Sequence, residues 1–485
     1  MNPKQVREDL QHNYRLRVLR IYMDNTVADK PLAVFTLIEP DGGETGVLTA
    51  SLAELGFDPG AREAAHGSLV LPDAYRVPVH LVAALRAWQA SAPPAGGAGG
   101  DPAGLQDNGI HPLPVWLRLS VPLGLLAAVP WEELLQPALG VPMLRLPYQS
   151  LCPRQPHGGN NTVVCFSSPV AEPAMETRLA MFVDQVPLDL ARATAFHLFG
   201  DRSAYPALTA LRRKHAGKVR IEVYDPLRAP AHDKSPERNP WLRWIADEMG
   251  EGRADVVHFL CHGDQQGGTG ALKMASSPTD AGTGRHPCLA EAAELITFLD
   301  HVGAWCAAFT SAPEERSAAG MRMLQTEVAR QRPGPLLVHD MNVAGSAGAL
   351  GDAYRFLFGV TRRPPASPSV ALVCHPVLVS PQEADAESDR QLRDFTLDGR
   401  LGEALHDDRL PGAILSSQRK LEVSAGTLAD EQARNRDSGR VRARALVLDA
   451  ISDYVREVTT DAEAARPERQ DDARPGARTA GSNHE

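Results

Sequence analysis

No apolar run in the 485 residues approaches the ~18 that a membrane-spanning helix needs. Residues 1–13 are polar and of mixed charge, unlike a secretory leader, so no membrane partner and a cytoplasmic location are expected. The six cysteines, Cys152, Cys165, Cys261, Cys288, Cys306 and Cys374, include no CxxC pair and lie mostly in apolar runs. Reduced, buried thiols fit that spacing better than a disulfide framework or a zinc knuckle. In "LCHG", "HPC" and "VCHP" cysteine and histidine are close in sequence, but adjacent strand residues face opposite ways, so no metal site is expected. Basic excess is also missing: the formal net charge is -10, which excludes a nonspecific nucleic-acid binder. The basic trio Arg212, Arg213 and Lys214 reads as a solvated helix end. There is no GxxxxGK[ST], no strand-bound GxGxxG and no internal repeat, so neither a nucleotide nor another cofactor is expected.

What remains is an ordinary globular composition, 43% hydrophobic and 23% charged. Alternating apolar and polar residues over 14–60, with "EPDGGE" as a turn, predict a β-rich N-terminal module over 1–91. The run "APPAGGAGGDPAG" makes 92–111 a linker or long loop. Over 112–365 strand-like and helix-like stretches alternate, which predicts an α/β body with a mostly parallel sheet sandwiched by helices. Within it a helix is expected at 171–186, and another after Ser203 as N-cap, closed by Gly217. Residues 366–459 form a C-terminal extension with one more strand and an amphipathic helix at 440–459, and 460–485 has the composition of a disordered tail.

The stretch "VVHFLCHGDQQGG" (256–268) reads as a buried strand ending in a histidine, His262, and a glycine. The carboxyl end of a parallel strand is where open α/β sheets place chemistry. The "VVHFLCHG" run, the upstream "VPWEELLQPALGVPMLRL" and the order of elements over 112–365 resemble the CHAT domains of bacterial caspase-like cysteine peptidases, in the caspase and separase clan. The resemblance implies a caspase-like fold, cleavage of protein substrates within bacterial immune or cell-death pathways, and an activating partner chain. It makes His262 the base and puts the nucleophile at the end of the next core strand. Laying "FTSAPE" over the family's "LSACE" places Ala312 at that position; laying "MNVAGSA" over "NACES" places Ala344 there but leaves 304–332 without a counterpart.

Alanine has no thiolate, so the chain as it stands is expected to be inactive. The intact His-Gly setting points to a Cys-to-Ala change; a natural, catalytically dead scaffold or interaction protein is the alternative. The resemblance further implies that the N–H of Gly263 holds the oxyanion and that Asp264 or Asp340 supplies a negative S1 pocket. By strand parity His258 faces the same side as His262, as a support or as core packing. Cys306, six residues before 312, would lie about 20 Å away along an extended strand. A different chemistry is offered by "AGSAG" (344–348), in which Ser346 sits as in a nucleophile elbow, with His375 or His406 as partner. No oligomeric state is legible.

Overall fold

Apolar strands that each feed a helix set the architecture of the computed structural model. It describes Tyr14 and residues 16–24, 31–57, 72, 74–91, 113–120, 124–148, 160–168, 194–229, 239–250, 254–266, 269–279, 287–311, 314–343, 346 and 348–379. All of these fall in one compact unit, Asn2–Thr396. The strands are β1 (Val18–Asp24), β2 (Leu32–Ile38), β3 (Glu44–Ser51), β4 (Val115–Ser120), β5 (Met143–Arg145), β6 (Asn160–Phe166), β7 (Thr194–Gly200), β8 (Arg220–Val223), β9 (Val256–Gln266), β10 (Thr269–Met274), β11 (Cys288–Glu291), β12 (Cys306–Ser311), β13 (Leu336–His339) and β14 (Val370–Val373). The α-helices among the described residues are α1 (Val79–Ala90), α2 (Trp131–Leu139), α3 (Tyr205–Lys214), α4 (Pro240–Met249), α5 (Ala292–His301), α6 (Glu315–Gln331) and α7 (Ala349–Leu357).

One 14-stranded mixed sheet runs in the order β3-β2-β1-β4-β5-β14-β13-β12-β9-β6-β7-β8, with β10 and β11 branching from β9. From β13 to β8 the strands are parallel, as are β1, β4, β5 and β14. The two sets meet head to tail at the antiparallel pair β13–β14. Alternation along β9 sends Val256 and Leu260 into a core layer with Leu208 of α3 and Tyr354 of α7. Val257, Phe259 and Cys261 point into the opposite layer, with Trp241 of α4, Leu295 of α5 and Leu324 of α6.

Local chemistry explains the helix ends. Asn239 Oδ1 accepts from the Trp241 and Leu242 N–H groups and Pro240 opens the first turn of α4. For α3 the expected cap is displaced: Ser203 donates to Asp201, and the Asp201 carboxylate accepts the Ala204 N–H at 2.9 Å. Gly217 lies beyond that helix with φ 80, while His215 is its C-cap. Helix α6 and the β9–β10 hairpin touch backbone to backbone. A Cβ on Gly263 would stand 2.1 Å from the Ser317 carbonyl oxygen, and one on Gly270 2.2 Å from that of Gly320. Only glycine permits that approach.

Two boundaries differ from expectation. The N-terminal strands are not set apart, because β1 pairs in parallel with β4 and so extends the main sheet. The strand expected in a C-terminal extension is β14, which sits between β5 and β13 in the middle of the sheet order. The expected linker at 92–111, the helices at 171–186 and 440–459 and the tail at 460–485 lie outside the described residues.

Candidate functional site

The parallel pairing of β6, β9 and β12 ends around His262. Strand β9 pairs with β6 as far as Leu260 and with β12 as far as Cys261. At His262 it leaves the parallel ladder and continues as an antiparallel hairpin, with His262 opposite Lys273 of β10. So His262 lies not at the strand's end, as expected, but at its turning point from parallel to antiparallel pairing. Its side chain is 10% exposed. Nε2 is 3.2 Å from Ser168 Oγ, just past β6, and Nδ1 is 3.9 Å from Glu314 Oε2, just before α6. An imidazole with a hydroxyl on one nitrogen and a carboxylate near the other is a fixed proton acceptor whose charged form has a counter-ion.

Gly263 gives its N–H to Ser317 Oγ at 2.8 Å, so the donor expected to hold an oxyanion is engaged by a serine of α6. His258, expected by strand parity to face the side of His262, has other partners. Its Nδ1 is 2.8 Å from Tyr354 Oη and its Nε2 2.8 Å from Thr310 Oγ1. The chain goes on from Thr310 to His339 Nδ1 at 3.4 Å, and from His339 Nε2 to the Ser346 carbonyl at 3.3 Å. Burial, and next the neighbouring His339, push His258 well below the ordinary imidazole value; burial lowers His339 as well.

A depressed folded-state value means that the unfolded chain binds the proton more readily, so this stabilisation is complete above about pH 6.5 and drains away as the pH falls below it. We expect the urea midpoint to drop between about pH 7 and pH 5, and to drop less steeply in His258→Gln. An unaltered slope in that variant would assign the acid sensitivity elsewhere.

The remaining expected residues scatter. Asp264, half-buried, pairs with Ala271 across the hairpin. Asp340 is committed to structure: it is buried, 3.2 Å from Arg322, and its Oδ1 accepts from the N–H and Nδ2 of Asn342 at 2.9 Å. Cys306 pairs with Val256 at the opposite end of β12 from His262, and burial pushes its thiol up to about 12, so it is inert at neutral pH. Ser346 meets His339 through its carbonyl, and His375 Nδ1 accepts from the Val377 N–H, so neither described histidine contact supplies a base to the Ser346 hydroxyl. Positions 312 and 344 and His406 lie outside the described residues. No described helix is long and apolar enough to cross a membrane.

Ser168, Thr310, Glu314, Ser317 and His339 were not legible beforehand. Each is a polar residue at or near a strand or helix end, where capping and turn chemistry ordinarily account for it. No family model, curated protein or solved structure matches the chain.

Proposed function

We propose that the chain is a caspase-like cysteine endopeptidase of the CHAT type, acting on protein substrates in a bacterial immune or cell-death pathway and silenced by alanine at position 312. The observation that supports this most is a register. Ser311 pairs with Cys261 as the last pair of the parallel ladder, and position 312 and His262 each follow that pair by one residue in sequence. On this proposal position 312 continues beside β9, where the ~4.8 Å spacing of adjacent strands would bring a thiol within reach of the imidazole.

In the proposed reaction the thiol at 312 gives its proton to His262 and the thiolate attacks the scissile carbonyl carbon. The tetrahedral oxyanion takes the Gly263 N–H over from Ser317, together with the N–H of residue 312. The imidazolium protonates the departing amine, and water, deprotonated by His262, hydrolyses the thioester. Because Asp340 is paired with Arg322, Asp264 is the acidic group we assign to S1, favouring a basic P1 residue. Activation by a partner chain belongs to the same proposal.

The test is Ala312→Cys, offered fluorogenic peptides with Arg, Lys or Asp at P1 and an electrophilic peptide probe. Cleavage and thiol labelling that appear with the substitution are the expected result. If Ala344→Cys labels instead, the nucleophile belongs to the second register. Silence of both, with candidate activator proteins present, leaves the scaffold reading.

A further inference from the structure

Strand β6 ends in Phe166, and the two serines after it are held tightly against the neighbouring strand ends. The Ser167 N–H donates to the Leu260 carbonyl at 3.3 Å, and Ser167 Oγ accepts the Ala275 N–H at 2.9 Å. The Ser168 backbone N–H faces the buried Asp201 carboxylate at the end of β7. Three elements therefore fix the height at which Ser168 Oγ meets His262 Nε2, 3.2 Å away.

We propose that Ser168 is a positioning residue for His262: its hydroxyl holds the proton on Nε2 and thereby makes Nδ1 the nitrogen that works as the base. The inference rests on the reading of His262 as a base. A neutral imidazole carries one proton; the Ser168 hydroxyl can donate or accept, and in the accepting role assigned to it here it keeps the proton on Nε2 and leaves the lone pair on Nδ1. Ser168 is 3% exposed, so the Nε2 side is closed. Glu314 on the Nδ1 side has a side chain 66% exposed, so this side opens to solvent; the expected nucleophile position, 312, precedes Glu314 by two residues in sequence. At 3.9 Å Glu314 is beyond hydrogen-bond length; it is a counter-ion for the imidazolium once that forms. The burial of Ser168 also keeps its own oxygen from a substrate carbonyl, so it acts through the ring.

The tautomer is directly measurable in the full chain as it stands, by nitrogen-resolved magnetic resonance of the imidazoles, with His262 assigned from its loss in His262→Gln. The expected spectrum has His262 protonated on Nε2. Ser168→Val should shift it toward Nδ1 protonation or a mixture, whereas Ser168→Thr, of the same shape but with a hydroxyl, should preserve it; melting curves establish that both remain folded. In the Ala312→Cys background Ser168→Val should lower kcat by on the order of 10-fold to 100-fold with KM little changed, and Ser168→Thr should restore most of the rate. An unchanged tautomer in folded Ser168→Val would overturn the assignment, as would labelling of Ser168 by a fluorophosphonate, which would make it a nucleophile. A shifted tautomer with Ala312→Cys and Ala344→Cys both silent in the presence of candidate activator proteins supports the positioning role while removing the endopeptidase reading.

Discussion

Replacing His262 by alanine in the Ala312→Cys chain should cut kcat/KM by on the order of 10²- to 10⁴-fold, the range associated with a positioned general base. The structure offers no substitute among the described histidines near this rim. His258 lies four residues deeper along β9, bonded on both nitrogens to Tyr354 and Thr310 and depressed by burial and by His339. His339 is itself bonded to Thr310 and to the Ser346 carbonyl. Neither can move to the rim without breaking a buried polar chain, at a cost of roughly 1–3 kcal/mol for each group left unsatisfied. A peptide assay at neutral pH reads the effect directly. If His262→Ala retains activity within a few fold, the imidazole is not the base and the proposed mechanism fails, even if the thiol at 312 proves reactive.

Glu132→Ala should destabilise the fold by about 3–5 kcal/mol, the cost typical of removing one partner from a buried ion pair. Arg145, on β5, makes two hydrogen bonds to Glu132 of α2, at 2.6 and 2.8 Å, and both side chains are nearly inaccessible. Burial by itself would push the Arg145 guanidinium down, and the facing carboxylate more than offsets this, holding it above its ordinary value. With Glu132 gone, Arg145 stays charged in an interior where its next partner is a neutral amide, Gln325 Oε1 at 3.3 Å. That same Gln325 donates to the Leu336 and Ala371 carbonyls at 2.8 Å, so the disturbance reaches the β13–β14 joint. Urea unfolding of the full chain measures the loss. The double variant Glu132→Leu with Arg145→Leu should recover most of it, since apolar replacement of both partners removes the unpaired charge. A single-variant change below about 1 kcal/mol would show that the pair contributes little to the joint.

The strands of the central body were legible because each is a short apolar run between turn residues, as in "VVHFL" and "PLLVH". Their order was not. Which strands become neighbours depends on pairing between distant segments, such as β1 with β4 and β5 with β14, and periodicity carries no information about it. The hairpin β9–β10 was hidden for another reason. Its turn region is rich in glycine and reads as a loop, yet Gly263 and Gly270 are needed for the approach of α6. His262 stood out because a histidine followed by glycine interrupts a buried strand. Ser168 did not, because a serine pair after a strand is an ordinary turn signal, and only the register of β6 on β9 reveals what its hydroxyl meets. Asp340 misled in the opposite way: a carboxylate at a strand end invites a ligand, and its arginine partner comes from a helix eighteen residues earlier.

The reversal of strand direction between β13 and β14 gives the molecule two rims rather than one. Strands β6 and β12 deliver their carboxyl ends beside His262, where β9 leaves their parallel ladder, whereas β1 and β4 deliver theirs on the opposite edge of the sheet. Helix α6 joins the two. Its first turn carries Ser317, bonded to Gly263, and follows Glu314; farther along, Arg322 holds the Ala128 carbonyl at 2.7 Å and Gln325 meets Arg145. A tilt of this rod imposed at the far edge is therefore felt, through these hydrogen bonds as well as through its apolar contacts, at the glycine beside the imidazole.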